Sequence, residues 1–274
     1  MTAGALVDHA DGMDKEYLFD TSSDLGLDHM DYLATVLDGP TTRFLDALGV
    51  QPGQRCLDLG AGGGSITRWL ADRTGPTGQV VAVDIATDHL VEGPGVEVYQ
   101  HDITTGLPVE GPFDLIHARL VLLHLPQREQ VFDLLVNALA PGGWLVLGDC
   151  SERPLSVVAA PTPEDRAVWE RMMHVSHDLL GAARGIDLSW AHTVQGRMEE
   201  AGLLNVHGIE YSETARGGSA GSLLHLNLNQ QAEPLLLELG ATPADMARYR
   251  ELLLDPGFRA WFYQFVCNAG QRSR

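Results

Sequence analysis

Residues 55–70, RCLDLGAGGGSITRWL, hold the densest chemistry in the chain. An apolar run passes straight into a glycine-rich turn and out into an amphipathic stretch, which reads as strand, tight loop and helix. Gly60, Gly62 and Gly64 let the backbone come close to a ligand, and a helix starting there presents free N–H groups. Gly60, Gly62 and then Ser65 nearly satisfy the G-x-G-x-x-G/A fingerprint of a dinucleotide site. On the glycines alone, that ligand class, another, and a tight turn with no ligand all stay open. Two carboxylates narrow the choice. Asp84 ends a second apolar run about 20 residues past the loop, where an acid can bind both hydroxyls of a ribose. Asp102, in QHDI, closes a third run, where an acid can accept from an adenine amino group. Three strand ends in order, each with a suitable group, favour a bound ligand over solvated turns.

The elements that must position these groups follow from periodicity. Residues 55–59, 79–84, 96–100, 113–117 and 144–148 read as strands, and 127–139 as a helix with Val131, Leu134, Leu135, Ala138 and Leu139 on one face. Strands alternating with helices predict an α/β domain with a parallel sheet covered on both sides. Ahead of it, 24–48 reads as two helical stretches broken at Asp38-Gly39-Pro40. Beyond Cys150 come a proline-rich entry, a long helix over 164–183, a helix over 194–201 and a strand over 205–211. Thr242-Pro243-Ala244-Asp245 has the form of a helix start, and 260–268 reads as the last strand.

Composition limits the partners. The chain has 274 residues, with 18 basic against 37 acidic side chains and a net charge of −19. That balance argues against a nucleic-acid or anionic-membrane surface, both of which need clustered Lys and Arg. Cys56, Cys150 and Cys267 are isolated, which offers neither a disulfide framework nor a zinc pair. No secretory signal and no apolar run long enough to span a membrane is read, so the expectation is a cytoplasmic protein. The one lysine, Lys15, excludes a lysine nucleophile within the core.

The ordered motifs resemble the class I S-adenosylmethionine-dependent methyltransferases, and among them the small-molecule enzymes of bacterial secondary metabolism. The match consists of DxGxGxG at Asp58, Gly60, Gly62 and Gly64, VVAVDI at 80–85, HDI at 101–103, FDLIHARLVLLHLP at 113–126 and LAPGG at 139–143. The resemblance implies a Rossmann-like fold whose seven-stranded, mostly parallel sheet has the order 3-2-1-4-5-7-6, with helical lid segments. It divides the chain into an N-terminal helical cap (1–48), a cofactor-binding core (49–150), a helical lid insertion (151–192) and the remainder of the core (193–274). S-adenosylmethionine is the implied cofactor and S-adenosylhomocysteine the product. Asp58 and the loop residues Gly60, Ala61, Gly62, Gly64 and Ser65 would sit at the methionine end. Asp84 would hold the ribose, Asp102 with Ile103 the adenine, Ile85 would also line the cofactor, and Arg119 would lie against the amino acid portion. Tyr17, in Tyr17-Leu18-Phe19, would fold over the cofactor, and His29 stands where many relatives carry an arginine.

For catalysis the resemblance points past the ends of strands four and five, to His124 and Asp149, as a base or substrate-orienting group. Glu170, His174 and His177, at i, i+4 and i+7, have a spacing that could hold a metal. They fall opposite the apolar face of Val168, Met172, Val175 and Leu179, which predicts solvated side chains and no metal. His177 lies nearest the apolar boundary and could reach a substrate under a lid. The expected acceptor is a small molecule methylated at oxygen or carbon by a monomer or homodimer. The alternatives are a non-methylating reaction such as a cyclisation on the same bound cofactor, an NAD-dependent oxidoreductase, against which Asp58 and LAPGG count, and a binding module without chemistry.

Overall fold

A computed structural model describes residues 23–274. Helix α1 (Asp24–Leu48) leads into β1 (Arg55–Leu59), α2 (Ser65–Thr74), β2 (Gln79–Asp84), β3 (Val96–Gln100), β4 (Phe113–Arg119), α3 (Arg128–Asn137) and β5 (Leu139–Cys150). There follow β6 (Val157–Ala159) and a long helical run of α4 (Pro163–Met173), a π-helical turn over His174–Leu179 and α5 (Leu180–Arg184). The chain continues through α6 (Trp190–Glu200), β7 (Leu204–Tyr211), β8 (Thr214–Arg216), α7 (Ala220–Gln231), α8 (Glu233–Glu238) and α9 (Pro243–Leu254). It ends with β9 (Arg259–Trp261) and β10 (Phe265–Gln271).

The main sheet has the order β3-β2-β1-β4-β5-β10-β7. Its first five strands are mutually parallel, and β10 runs antiparallel to both β5 and β7. With β7 and β10 as sixth and seventh strands, this is the expected 3-2-1-4-5-7-6. The near-continuous apolar runs of β1, β2 and β4 match a sheet buried on both faces. On one face Leu57, Val81 and Ile116 pack against Phe132 of α3 and Trp190 of α6. On the other, Cys56, Val80 and Leu115 share a cluster with Leu37 and Leu45 of α1 and Leu70 of α2.

A third cluster forms a helical cap distinct from α1, where Trp169 and Met172 of α4 pack with Leu236 of α8, Tyr249 and Leu252 of α9, and Phe258. A small sheet, β6-β9-β8, joins this unit. This unit draws on elements both before and after β7, including α8 and α9.

Two expectations are corrected. The break at Asp38-Gly39-Pro40 is absent, and α1 runs 25 residues with Pro40 inside it. Buried Val36, Leu37, Phe44 and Leu45 anchor both halves to the same core, and the Thr41 and Thr42 hydroxyls donate back to the carbonyls of Leu37 and Asp38 at 2.7 Å each. The single last strand over 260–268 is two strands in two sheets, because the chain leaves β9 through Phe262, Tyr263 and Gln264 before entering β10.

One buried polar cluster ties the layers together beneath the glycine loop. Asp58, 1% exposed, is the cross-strand neighbour of His117 on β4. Its Oδ1 lies 2.8 Å from His117 Nδ1, and its Oδ2 accepts from the Thr67 hydroxyl of α2 at 2.6 Å. Removing Asp58 leaves two buried groups, the His117 ring nitrogen and the Thr67 hydroxyl, without their acceptor, at about 1–3 kcal/mol each. Asp58→Ala is therefore expected to lower the urea unfolding free energy by about 3 kcal/mol or more. An unchanged unfolding midpoint would contradict the assignment.

Candidate functional site

The glycine loop is built by successive left-handed turns, with φ of +66°, +52° and +71° at Gly60, Gly62 and Gly64. A Cβ at Gly60 would run into Val121 Cγ2, so the close approach itself requires glycine there. The N–H of Gly60 donates to the Val83 carbonyl at 2.8 Å, and that of Gly62 to Asp84 Oδ2 at 2.8 Å. Helix α2 then starts from Gly64 without a side-chain cap, so its first N–H groups remain for a ligand. Burial raises the Asp84 carboxyl above the ordinary range, against the hydrogen bonds from Gly62 and Ala86, which favour its charged form. Asp102 caps the short turn after β3, where the Thr104 hydroxyl and N–H donate to its Oδ1 and hold it below the usual carboxylate range.

These groups line a cavity of about 230 Å³. Gly60, Ala61, Gly62, Ser65, Ile85, Ile103 and Arg119 all reach it, together with Asp84 and Asp102. Arg119 is oriented by Asp38 of α1 at 2.8 Å, and the Ser65 hydroxyl donates to the same carboxylate at 3.0 Å. Asp58 does not line the cavity; its two oxygens are engaged by His117 and Thr67. Gly64 is also outside the lining, as the cap of α2. Tyr17 lies outside the described residues. Arg68, Asp31 and Met30 line the cavity and were missed by the sequence reading. Arg68 was findable, since it sits one helical turn after Gly64, where it donates to the Gly63 carbonyl at 2.8 Å.

A second cavity, of about 170 Å³, adjoins the first. Both are lined by His29, Leu33, Leu120 and His124. Leu120 holds a φ of +57°, uncommon for a non-glycine, and its N–H is anchored to the Gly148 carbonyl at 2.8 Å. This fixes the turn after β4 that carries His124 to the junction. Burial, with His29 and Arg128 nearby, pushes the His124 ring down to about 4. Burial does the same to His29, also to about 4.

His177 lines the second cavity too, stacked on Tyr263 with ring centroids 5.4 Å apart. The π-helical turn shifts the helix face by one residue, turning inward a histidine expected on the solvated side. His174 instead pairs with Asp178 in solvent, at 2.9 Å. No group of three metal-ligating side chains occurs among the described residues. Asp149 lines neither cavity. It is 3% exposed, and alternation along β5 sends Cys150 to the cavity and Asp149 to the other face. Burial raises its carboxyl well above the usual value, against a backbone hydrogen bond from Leu123 and the charge of Arg128, which favour the ionised form.

Residues 30–208 match a family described as a methyltransferase domain, which is more than half of the chain. The chain belongs to this family. Among curated relatives, it is similar to a trans-aconitate 2-methyltransferase of Variovorax paradoxus, at 34% identity over 134 residues, 45% of this chain and 51% of that one. The matched stretches span only 35–51% of the length of the first such relatives. Of solved structures, phosphoethanolamine N-methyltransferase 2 of Haemonchus contortus in complex with S-adenosyl-L-methionine is similar with a TM-score of 0.56 at 15% identity, over 93% of this chain and 58% of that one. A cyclopropane-fatty-acyl-phospholipid synthase-like protein of Lactobacillus casei is similar with a TM-score of 0.53 at 16% identity, over 92% and 94% of the two chains. At these identities the likeness is one of fold: the class I methyltransferase sheet and its flanking helices.

In this methyltransferase-domain protein the second cavity also holds His225 of α7, which the sequence reading missed because no motif marks it. Its ring stacks on Tyr263 at 4.9 Å, edge-on to Trp169 and Phe262, and burial pushes it down to about 3. Between about pH 6.5 and pH 3 the unfolded chain protonates this histidine and the folded chain does not, so stability falls as pH falls. His225→Phe removes that proton uptake. Over pH 6.5 to 4.5 the unfolding free energy of the wild type should fall more steeply than that of the variant, by about 1.4 kcal/mol per pH unit. Parallel pH profiles in chemical denaturation would contradict this.

Proposed function

We propose that the chain transfers the methyl group of S-adenosylmethionine to oxygen or carbon of a small-molecule acceptor, in bacterial secondary metabolism, and releases S-adenosylhomocysteine. The observation that carries this reading is the junction of a charged cavity with an apolar one at His29, Leu33, Leu120 and His124. Methyl transfer is an in-line displacement, so nucleophile and leaving group must meet from opposite sides of one carbon with water kept out. Two adjoining cavities with leucines in their shared wall suit that requirement. The secondary-metabolism part rests on the motif set at 58–143.

The residues of the charged cavity fit the cofactor. Asp84 would hold the ribose and Asp102 the adenine edge, with Ile85 and Ile103 as apolar surface for the ring. Arg68 and Arg119 suit the carboxylate of its amino acid portion, and Asp31 and Asp84 balance its positive groups. S-adenosylmethionine supplies a methyl group on a sulfonium sulfur that departs as a neutral thioether. For a hydroxyl acceptor, His124 takes up the proton. A ring held near 4 is a weak base, yet the hydroxyl proton becomes strongly acidic as the oxygen gains its methyl group, so a neutral imidazole suffices.

Two outcomes test the reading. By calorimetry the wild type should bind S-adenosylhomocysteine, and Asp84→Ala should bind it about tenfold more weakly or worse, the worth of a charged hydrogen bond. No binding by the wild type would overturn the reading. With a hydroxyl acceptor, His124→Ala should lower kcat by about 10²–10⁴-fold at little change in cofactor affinity. Protonated His124 cannot act as a base, so the acid limb of the wild-type rate should lie near pH 4, not near the unperturbed value of about 6.5. An unaltered kcat would leave His124 as wall alone.

A further inference from the structure

The apolar cavity defines its occupant by what lines it. Among the described residues its lining has no Asp, Glu, Lys or Arg. Its titratable rings, His29, His124, His177 and His225, are all held below the ordinary histidine value by burial, so they are neutral near pH 7. An ionised carboxylate, phosphate or ammonium placed there would lose its hydration and find no counter-charge. The two substrates named for similar proteins, trans-aconitate and phosphoethanolamine, are both charged. This cavity lacks the groups to hold either.

One polar side chain in the lining has its direction set from behind. Asn229, 3% exposed, accepts at Oδ1 from Arg250 Nε at 2.6 Å, and Arg250 is itself paired with Glu233 at 2.6 Å. That bond assigns the amide orientation, since a guanidinium can only donate. Nδ2 is then a buried donor with no partner among the described residues. A buried unmet donor is costly and fits an oxygen acceptor brought by a ligand. His225 stands one turn before it on α7, and its Nε2 is likewise unmet. Neither Asn229 nor His225 lines the charged cavity, so both lie off the junction where His124 stands.

We propose that the acceptor is an uncharged, largely apolar molecule bearing a carbonyl oxygen, which the Asn229 amide binds off the wall shared with the cofactor's cavity. This rests on the methyltransferase reading, for it takes the second cavity as the acceptor site. The cavity is ring-sized: an apolar cavity of about 150 Å³ accepts benzene, against about 170 Å³ here. Acetophenone, ethylbenzene and benzoate therefore serve as probes of one size that differ in oxygen and charge.

The test is ligand-observed NMR titration of each probe into the full chain at pH 7.5, with S-adenosylhomocysteine saturating. Calorimetry of S-adenosylhomocysteine alone reports separately on the underlying reading. Acetophenone is expected to bind at least tenfold more tightly than benzoate, and no more weakly than ethylbenzene despite the hydration it gives up. Asn229→Asp keeps the oxygen that Arg250 needs but replaces the donor with an acceptor. It should weaken acetophenone about tenfold while leaving ethylbenzene and S-adenosylhomocysteine unchanged. Benzoate binding as well as acetophenone, ethylbenzene binding tenfold more tightly than acetophenone, no probe binding at millimolar concentration, or an equal loss of both neutral probes in the variant would each overturn the proposal. The wild-type comparisons decide it even where the variant fails to fold.

Discussion

A carboxylate buried in the middle of a sheet must have its oxygens satisfied, and Asp58 meets that demand with one group from β4 and one from α2. Satisfying it holds the strand before the glycine loop and the helix after it at a set separation. The same demand locks register. His117 lies directly across from Asp58, and a one-residue slip of β4 would send the imidazole to the other face and leave a carboxylate oxygen without its partner. The tight loop depends on this frame, as do the bond from Gly62 to Asp84 and the free N–H groups at the head of α2.

From that frame the site divides by dielectric. One cavity has carboxylates, arginines and backbone N–H groups, and suits a ligand with several charges. The other has leucines, aromatic rings and histidines kept neutral by their own burial. Charge is handled on one side of the shared wall and excluded on the other. A methyl group leaving a cation for a neutral nucleophile would cross from the first regime to the second, where neighbouring water is scarce and dipoles are held by packing.

The apolar cavity is not a space between finished modules. Leu180, Leu236 and Tyr249 belong both to its lining and to the third hydrophobic cluster, so the floor of the cavity is the core of the cap. The chain's transfer from β9 to β10 adds Phe262 and Tyr263 to the same wall. Substitutions that reshape acceptor recognition will therefore act on cap stability too, with the usual cost of altering a close-packed interior.

Strands 55–59, 79–84 and 96–100 were legible to the residue, and so were the loop glycines and the acids at 84 and 102, because each rests on contiguous residues: an apolar run, a turn that only glycine can make, an acid at a strand end. The order of the sheet was what the family resemblance implied. Long-range properties were not legible. Asp58 has the look of a ligand-binding acid in sequence, and its capture by His117 and Thr67 depends on a cross-strand pairing 59 residues away. The face presented by His177 depends on one π turn, and the protonation of His124 on how many apolar neighbours enclose it. Asn229 and His225 carry no motif, since nothing local marks them. They acquire a role when α7, α9 and the crossing from β9 to β10 fold against one another, because burial and hydrogen-bond partners are properties of packed neighbours rather than of adjacent residues.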